Sequence, residues 1–270
     1  MSNITPLGFI GAGKMGASLI AGVIRAGVAD RENILISEPD SARRDELCAD
    51  KGIRAADSVE LARNCPVIVL AVKPGVVADV LDEISAAVEP GKTVISIAAG
   101  IKTGAMEEKL ADGVAVVRAM PNIAATVGES ATAIAAGKNA GREALDAARR
   151  VLGAAGSVVE LPEKLIDAVT GLAGSGPAYV FTFVEALIAA GLKVGLPAEE
   201  ARKLAVQTVK GAAVMLEQRE AEHPAELRDA VTTPGGTTIA GLHELESGRF
   251  TDVVIRAVEA AARRSRELGD

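Results

Sequence analysis

Residues 8–16 read GFIGAGKMG and set Gly11, Gly13 and Gly16 in G-x-G-x-x-G spacing. That spacing allows one kind of chemistry above others, the holding of a dinucleotide. Gly11 permits a tight turn, Gly13 lets bare backbone approach a pyrophosphate, and Gly16 lets a helix pack closely on the strand before it. The helix opening at Lys14 and Met15 offers unpaired N–H groups and the positive end of its dipole to the phosphates, with Ile10 and Ala12 completing the turn. Glu38 follows 22 residues after Gly16, at the end of the next apolar run, where an acid accepts hydrogen bonds from the ribose hydroxyls of NAD. Ser37, Arg43 and Arg44 offer the competing chemistry, a grip on a 2'-phosphate or, for the arginines, simple solvation. NADH is therefore expected to be accepted, with NADPH open as well.

A second chemical stretch is TTPGGTTIAGL, residues 232–242, with four threonines around a Pro-Gly-Gly at the mouth of an apolar helical pattern. An N-capping loop explains one hydroxyl of this kind. It does not explain four around two adjacent glycines. Other reactive residues are scarce. His223 precedes Pro224 at a helix start and His243 lies within a helix, neither in a catalytic grouping. Cys48 and Cys65 form no Cys-x-x-Cys pair, which fits buried thiols in a reducing compartment, and no metal site is expected.

The elements that must position these residues change character along the chain. PLGFI, NILIS, VIVLAV, TVISIA and VAVVRAM, between residues 6 and 120, are short Val/Ile-rich runs separated for the most part by amphipathic stretches. Continuous apolar strands with intervening helices indicate a mostly parallel sheet covered on both faces. SATAIAA at 130–136 and SVVEL at 157–161 flank a helical pattern at 140–153 and finish the sheet. In such a sheet a ligand sits beyond the carboxyl ends of the strands. The loops there bring Ala71, Val72, Lys73 and Pro74, then Ala98, Ala99 and Gly100, then Asn122 of RAMPN. After residue 162 the strand signal ends and a helical stripe runs through Ala201, Leu204, Ala205, Thr208, Val209, Ala212 and Leu216. The expected fold is α/β, a Rossmann-type doubly wound sheet over residues 1–162 followed by an all-α unit over 163–270.

Composition bounds the rest. A net charge of -7 and 2% aromatic residues argue against nucleic acid and an anionic membrane as partners. Residues 178–192 are apolar but short for a span and carry Glu185, so a helix buried in a protein or an oligomer is the better reading. The amino-terminal MSNITPLGFIGAG has no basic region leading into an apolar core and cleavage site, and a cytoplasmic location is expected. Several helices of the second half are apolar on more than one side, so they are expected to pack against a second copy.

RAMPN, GLAGSGPAYVF (171–181) and HPAELRDAVTTPGGTTIAGLHELE (223–246), together with GFIGAGKMG, resemble the delta-1-pyrroline-5-carboxylate reductase family over nearly the whole chain. The resemblance implies reduction of a cyclic imine to proline with NADPH or NADH, and a helical dimerisation domain interlocked with a partner, often in a ring of dimers. It implies that 1-pyrroline-5-carboxylate meets the threonine loop, with Thr238 at the ring nitrogen and Val231, Thr233 and Thr237 completing the cradle. Gly235 and Gly236 can then bring N–H groups to the substrate carboxylate at a helix start, where the dipole favours an anion. Lys14 and Gly75 depart from the family's common Asn and Gln, which bears on nucleotide preference. Two other readings stay open. A β-hydroxyacid dehydrogenase shares the glycine loop, but its lysine would fall at Val180 and proton transfer would have no carrier. A non-catalytic NAD(P)-sensing module would leave the threonine cradle without a purpose.

Overall fold

The structure, a computed structural model, describes residues 4–269. Eight strands form one sheet: β1 (Leu7–Ile10), β2 (Ile34–Ser37), β3 (Arg54–Ala55), β4 (Val67–Leu70), β5 (Thr93–Ser96), β6 (Ala115–Met120), β7 (Ser130–Ala136) and β8 (Gly156–Glu160). Their spatial order is β3-β2-β1-β4-β5-β6-β7-β8, so the order reverses at β1 and opens a switch point between β1 and β4. All neighbours run parallel except β6 and β7. The two-residue β3 has no counterpart in the sequence reading, because Arg54 and Ala55 lack the β-branched run that marks a strand.

Helices α1 (Lys14–Arg25), α2 (Ser41–Lys51), α3 (Ser58–Asn64), α4 (Val77–Ile84), α5 (Thr103–Glu107), α6 (Arg142–Gly153) and α7 (Ile166–Val169) belong with this sheet. Alternate residues of each strand face opposite sides. Leu7, Phe9, Ile34, Ile36, Val67, Val69 and Ile134 are buried in one cluster with Leu19, Ile20 and Val23 of α1 and Ala148, Val151 and Leu152 of α6. Ile10, Leu35, Ile68, Leu70 and Val94 are buried on the other side with Leu61 of α3 and Val77, Val80, Leu81 and Ile84 of α4. Each buried Val, Leu, Ile or Phe side chain among them contributes about 1.5–3 kcal/mol, so two covered faces hold the sheet rigid beneath the loops at its carboxyl edge.

The remaining helices are α8 (Gly176–Lys193), α9 (Ala198–Gln218), α10 (Pro224–Ala230), α11 (Thr237–Ser247) and α12 (Phe250–Gly269). Gly191, read from the sequence as part of a helix end, lies inside α8, where a Cβ would stand 3.0 Å from the Cβ of Ala201. The actual end is marked by Gly195, whose φ is +97°. By packing, the chain divides into Met1–Ser175 with Glu259–Asp270, and Gly176–Val258. The boundary expected from the sequence, residue 162, precedes this division. Ile166 of α7 is buried with Ala133 and Ala135 of β7, and the later turns of α12 pack in the first unit.

In the second unit only Ala201, Ala205 and Leu227 are buried among the described residues, while Phe181, Leu192, Val194, Leu204 and Val206 are largely exposed. The stretch Glu163–Lys193 is long and apolar enough, by length and composition, to cross a membrane.

Candidate functional site

Parallel register brings the strand ends into line. Ile10 pairs with Ser37 and with Leu70, and Leu70 pairs with Ser96. The next residues, Gly11, Glu38, Ala71 and Ile97, therefore leave the sheet side by side. Gly11 takes φ +92°, and a Cβ there would lie 2.6 Å from the Ala71 carbonyl oxygen. A Cβ on Gly16 would lie 2.5 Å from the Gly11 carbonyl. At Gly13 a Cβ would meet nothing within 4 Å. Two glycines thus serve close packing and the third presents bare backbone to open space. Gly13 also caps α1 with no side-chain hydrogen bond, leaving the first N–H groups of the helix for a ligand. This is the geometry a pyrophosphate requires, and the residues fit a dinucleotide.

The side chains around this backbone divide by role. Ile10 and Ala12 are buried, so they meet a ligand through main chain alone. Met15 packs partly buried against the core, and Lys14 projects from the first turn of α1. The Glu38 side chain is 6% exposed. Its Oε2 accepts the Ala12 N–H at 2.8 Å, and its Oε1 accepts the Asp40 N–H at 3.1 Å and lies 3.4 Å from Arg43 Nη1. Ala12, Gly13 and Lys14 line a cavity of about 280 Å³ together with Arg43, Glu46 and Asp50. The carboxylate and the glycine turn are thereby one hydrogen-bonded unit. Arg44 instead pairs with Asp45.

Beyond β4, Val72 is half-buried, Lys73 is exposed, and Pro74 opens a short 3-10 turn. Beyond β5, Ala98 is buried, Ala99 is exposed, and Gly100 is buried with φ +79°. Asn122 sits at the end of β6 with its amide engaged: Nδ2 donates to the Ala173 carbonyl at 3.0 Å and Oδ1 accepts the Ala124 N–H at 3.1 Å. In this state Asn122 anchors the Thr170–Gly174 segment, a π-helical turn inside the glycine-rich stretch that precedes α8. Sequence patterns do not announce a π turn, although such turns gather at functional sites.

Sequence reading also passed over a buried ion network. Arg118 of β6 is 3% exposed, and its guanidinium lies 3.5 Å from Glu163 and 3.6 Å from Asp167. Glu163 accepts both the N–H and the hydroxyl of Thr103, at 2.7 and 2.8 Å, and Asp167 accepts the Ser265 hydroxyl at 2.8 Å. The only signal was a charged residue inside an apolar strand.

In the second unit, α10 starts on a capping box. His223 Nδ1 accepts the Ala225 N–H and Glu226 accepts the His223 N–H, so this histidine is structural. After α10, Thr232 returns its hydroxyl to the Arg228 carbonyl at 2.8 Å. Gly236 N–H donates to the Thr233 carbonyl at 2.9 Å across Pro234 and Gly235, and Gly235 takes φ +68°. Proline second and a left-handed glycine third is the type II turn pattern. A Cβ on Gly236 would collide with the Thr233 hydroxyl. Gly236 then caps α11 with no side-chain hydrogen bond. The opening N–H groups of Thr237, Thr238 and Ile239 have no carbonyl one turn back within the helix, so the turn delivers a bare, positively polarised helix start flanked by hydroxyls. Val231 and Thr233 are exposed and Thr238 is half-buried.

A cavity of about 870 Å³ lies at the opposite end of the sheet, against Val67, Thr93 and Ala115 where strands begin. Its charged lining mixes Arg142 and Arg150 with Glu143 and Asp146, and it lies away from the carboxyl edge where a doubly wound sheet takes its ligands, so size alone does not make it the site. Among the described residues no three His, Cys, Asp or Glu side chains gather to hold a metal. Burial pushes the Cys65 thiol up to about 12, and burial together with Asp45 raises Cys48.

A doubly wound sheet with a glycine turn at its switch point and an apolar helical unit defines a nucleotide-dependent oxidoreductase of two-unit construction. A family described as "Pyrroline-5-carboxylate reductase dimerisation" matches residues 163–268, and one described as "NADP oxidoreductase coenzyme F420-dependent" matches residues 6–100. Pyrroline-5-carboxylate reductases of Methanosarcina acetivorans and Synechocystis are each 46% identical to this chain. The first match covers 97% of both chains, and the second covers 97% of this chain and 98% of the relative. Among solved structures, a pyrroline-5-carboxylate reductase from Coxiella burnetii superposes with a TM-score of 0.95 at 35% identity, over 99% of this chain and 100% of the other. The Plasmodium falciparum pyrroline carboxylate reductase with NADP bound gives 0.87 at 34% identity, over 100% of each chain. The chain belongs to the pyrroline-5-carboxylate reductase family.

Proposed function

We propose that this protein reduces 1-pyrroline-5-carboxylate to L-proline, the last step of proline biosynthesis, using NADPH or NADH. The observation that carries the reading is the entry to α11, where a Pro-Gly turn, an uncapped glycine start and a row of hydroxyls form an uncharged, electropositive mouth. A small ring acid has no phosphate handle, so its carboxylate must be held by N–H groups at such a mouth. Gly235 and Gly236 bring the backbone close, Thr233 and Thr237 add hydrogen bonds without charge, and Val231 closes the apolar side. Thr238 accepts the N–H of the protonated ring nitrogen. The reduced nicotinamide, when bound, would supply the hydride for the imine carbon, C2 of the pyrroline ring, on the other side of the nitrogen from the carboxylate-bearing C5. The electron pair of the C=N bond passes to nitrogen, which already carries its proton. A protonated imine is electrophilic as it stands, so the protein's task is to hold and orient rather than to donate or remove protons. This agrees with His223 acting as a helix cap.

On the nucleotide side we assign Gly11–Gly16, Glu38, residues 71–74, residues 98–100 and Asn122. The helical half carries the family's dimerisation module, and its exposed apolar helices form the homodimer contact from which a larger homo-oligomer is built. The assembly works in the cytoplasm.

The test is Thr238→Ala. A hydroxyl acting on charge in a closed site is worth about 10- to 100-fold in kcat/KM for the imine. The dissociation constant for the reduced cofactor should stay near that of the unsubstituted enzyme. An unchanged rate removes Thr238 from the reaction.

A further inference from the structure

The backbone of the loop after β5 touches the last turn of α12. A Cβ on Gly269 would lie 2.7 Å from the Gly100 carbonyl oxygen and 3.4 Å from the Gly100 Cα, and a Cβ on Gly100 would lie 3.4 Å from the Leu268 carbonyl oxygen. Two glycines far apart in sequence thus leave room for main chain against main chain and nothing else. The contact belongs to a closed ring. Arg118 faces Glu163, and Glu163 holds the N–H and hydroxyl of Thr103 at the far end of the same loop. Arg118 also faces Asp167, which holds Ser265 of α12. Ser265 and Gly269 are four residues apart and share one helix face. The loop is therefore pinned at Thr103 through Glu163 and at Gly100 through Gly269, and both pins refer back to one buried guanidinium.

We propose that Gly269 is a positioning residue for the cofactor: through its contact with Gly100 it sets where Ala98, Ala99 and Gly100 stand, and so sets the affinity for the reduced nicotinamide nucleotide. The inference rests on the assignment of residues 98–100 to the nucleotide. A side chain at Gly269 must either displace the Gly100 carbonyl or lift the last turn of α12 away. Both move the support from under the loop. Neither alters a residue of the threonine turn, 231–238.

The experiment is equilibrium titration of NADH and NADPH by fluorescence, with steady-state kinetics beside it, on Gly269→Val and the smaller Gly269→Ala. The expected result for Gly269→Val is a rise of about tenfold in the dissociation constant of both nucleotides, equivalent to about 1.4 kcal/mol. Gly269→Ala should fall between it and the unsubstituted enzyme. The KM for the imine and the midpoint of thermal unfolding should barely move. If Gly269→Val does not fold, the graded rise is read from Gly269→Ala alone. Nucleotide affinity unchanged within about twofold overturns the proposal, and so does an equal rise in the KM for the imine. Ala99→Asp, on an exposed loop residue, separates the two premises. If it weakens the nucleotide while both Gly269 variants do not, the loop assignment stands and the buttress falls; if none of the variants has an effect, the assignment falls too.

Discussion

Replacing Glu38 with alanine should change the balance between the two nucleotides more than it changes either alone. The carboxylate offers about four lone-pair positions. Three are taken by the Ala12 N–H at 2.8 Å, the Asp40 N–H at 3.1 Å and Arg43 at 3.4 Å. About one position remains for a ribose hydroxyl, and one hydrogen bond to a charged acceptor is worth about 1.5–3 kcal/mol. NADH should therefore lose about 10- to 150-fold in affinity. NADPH has no hydroxyl there to lose, and its 2'-phosphate is relieved of a neighbouring negative charge. Both nucleotides lose the tie between Glu38 and Ala12 that steadies the glycine turn, so this loss cancels in the ratio. The assay is titration of both nucleotides against both proteins. The expected outcome is a fall in the NADH-to-NADPH preference of about 10- to 150-fold. Equal weakening of both nucleotides would refute the assignment of Glu38 to the ribose.

The remaining predictions concern the thiols and the assembly. With burial holding its pKa at about 12, Cys65 has a thiolate fraction of about 10⁻⁴ at pH 8. Iodoacetamide should label Cys65 only after unfolding, and rapid labelling of the native protein would contradict the burial. Because that pKa is raised above the usual 9.0, the contribution of Cys65 to stability is intact below about pH 9 and is lost as pH climbs toward 12. Light scattering at micromolar concentration should give a dimer or a multiple of it, since the second unit buries only Ala201, Ala205 and Leu227 by itself; a monomer would leave its apolar helices unexplained.

Much of the α/β half was legible because its signals are local. SATAIAA is β7 residue for residue, and the apolar runs of β1, β2, β4 and β5 are found one or two residues shorter than their patterns. The glycine turn was legible for the same reason, since Gly11 and Gly16 answer to contacts within a few residues or on the adjacent strand end, while Gly13 faces open space. What sequence could not show were relations between distant segments. The Arg118 network joins positions 103, 118, 163, 167 and 265, and no spacing rule connects them. The Gly100–Gly269 contact reads in sequence as two unrelated glycines. Asn122 was assigned to the nucleotide, and the structure engages its amide with Ala173 and Ala124. The four threonines were visible at once, but that Gly236, which has no side chain to offer, is the residue that caps α11 is known only from the coordinates.

The most direct measurement is the loss of reduced-nicotinamide absorbance on adding 1-pyrroline-5-carboxylate, followed in parallel with chromatographic detection of the product. The account predicts one proline formed per nucleotide oxidised, with either NADH or NADPH as donor. Nucleotide that binds but is never oxidised in the presence of the imine would contradict it.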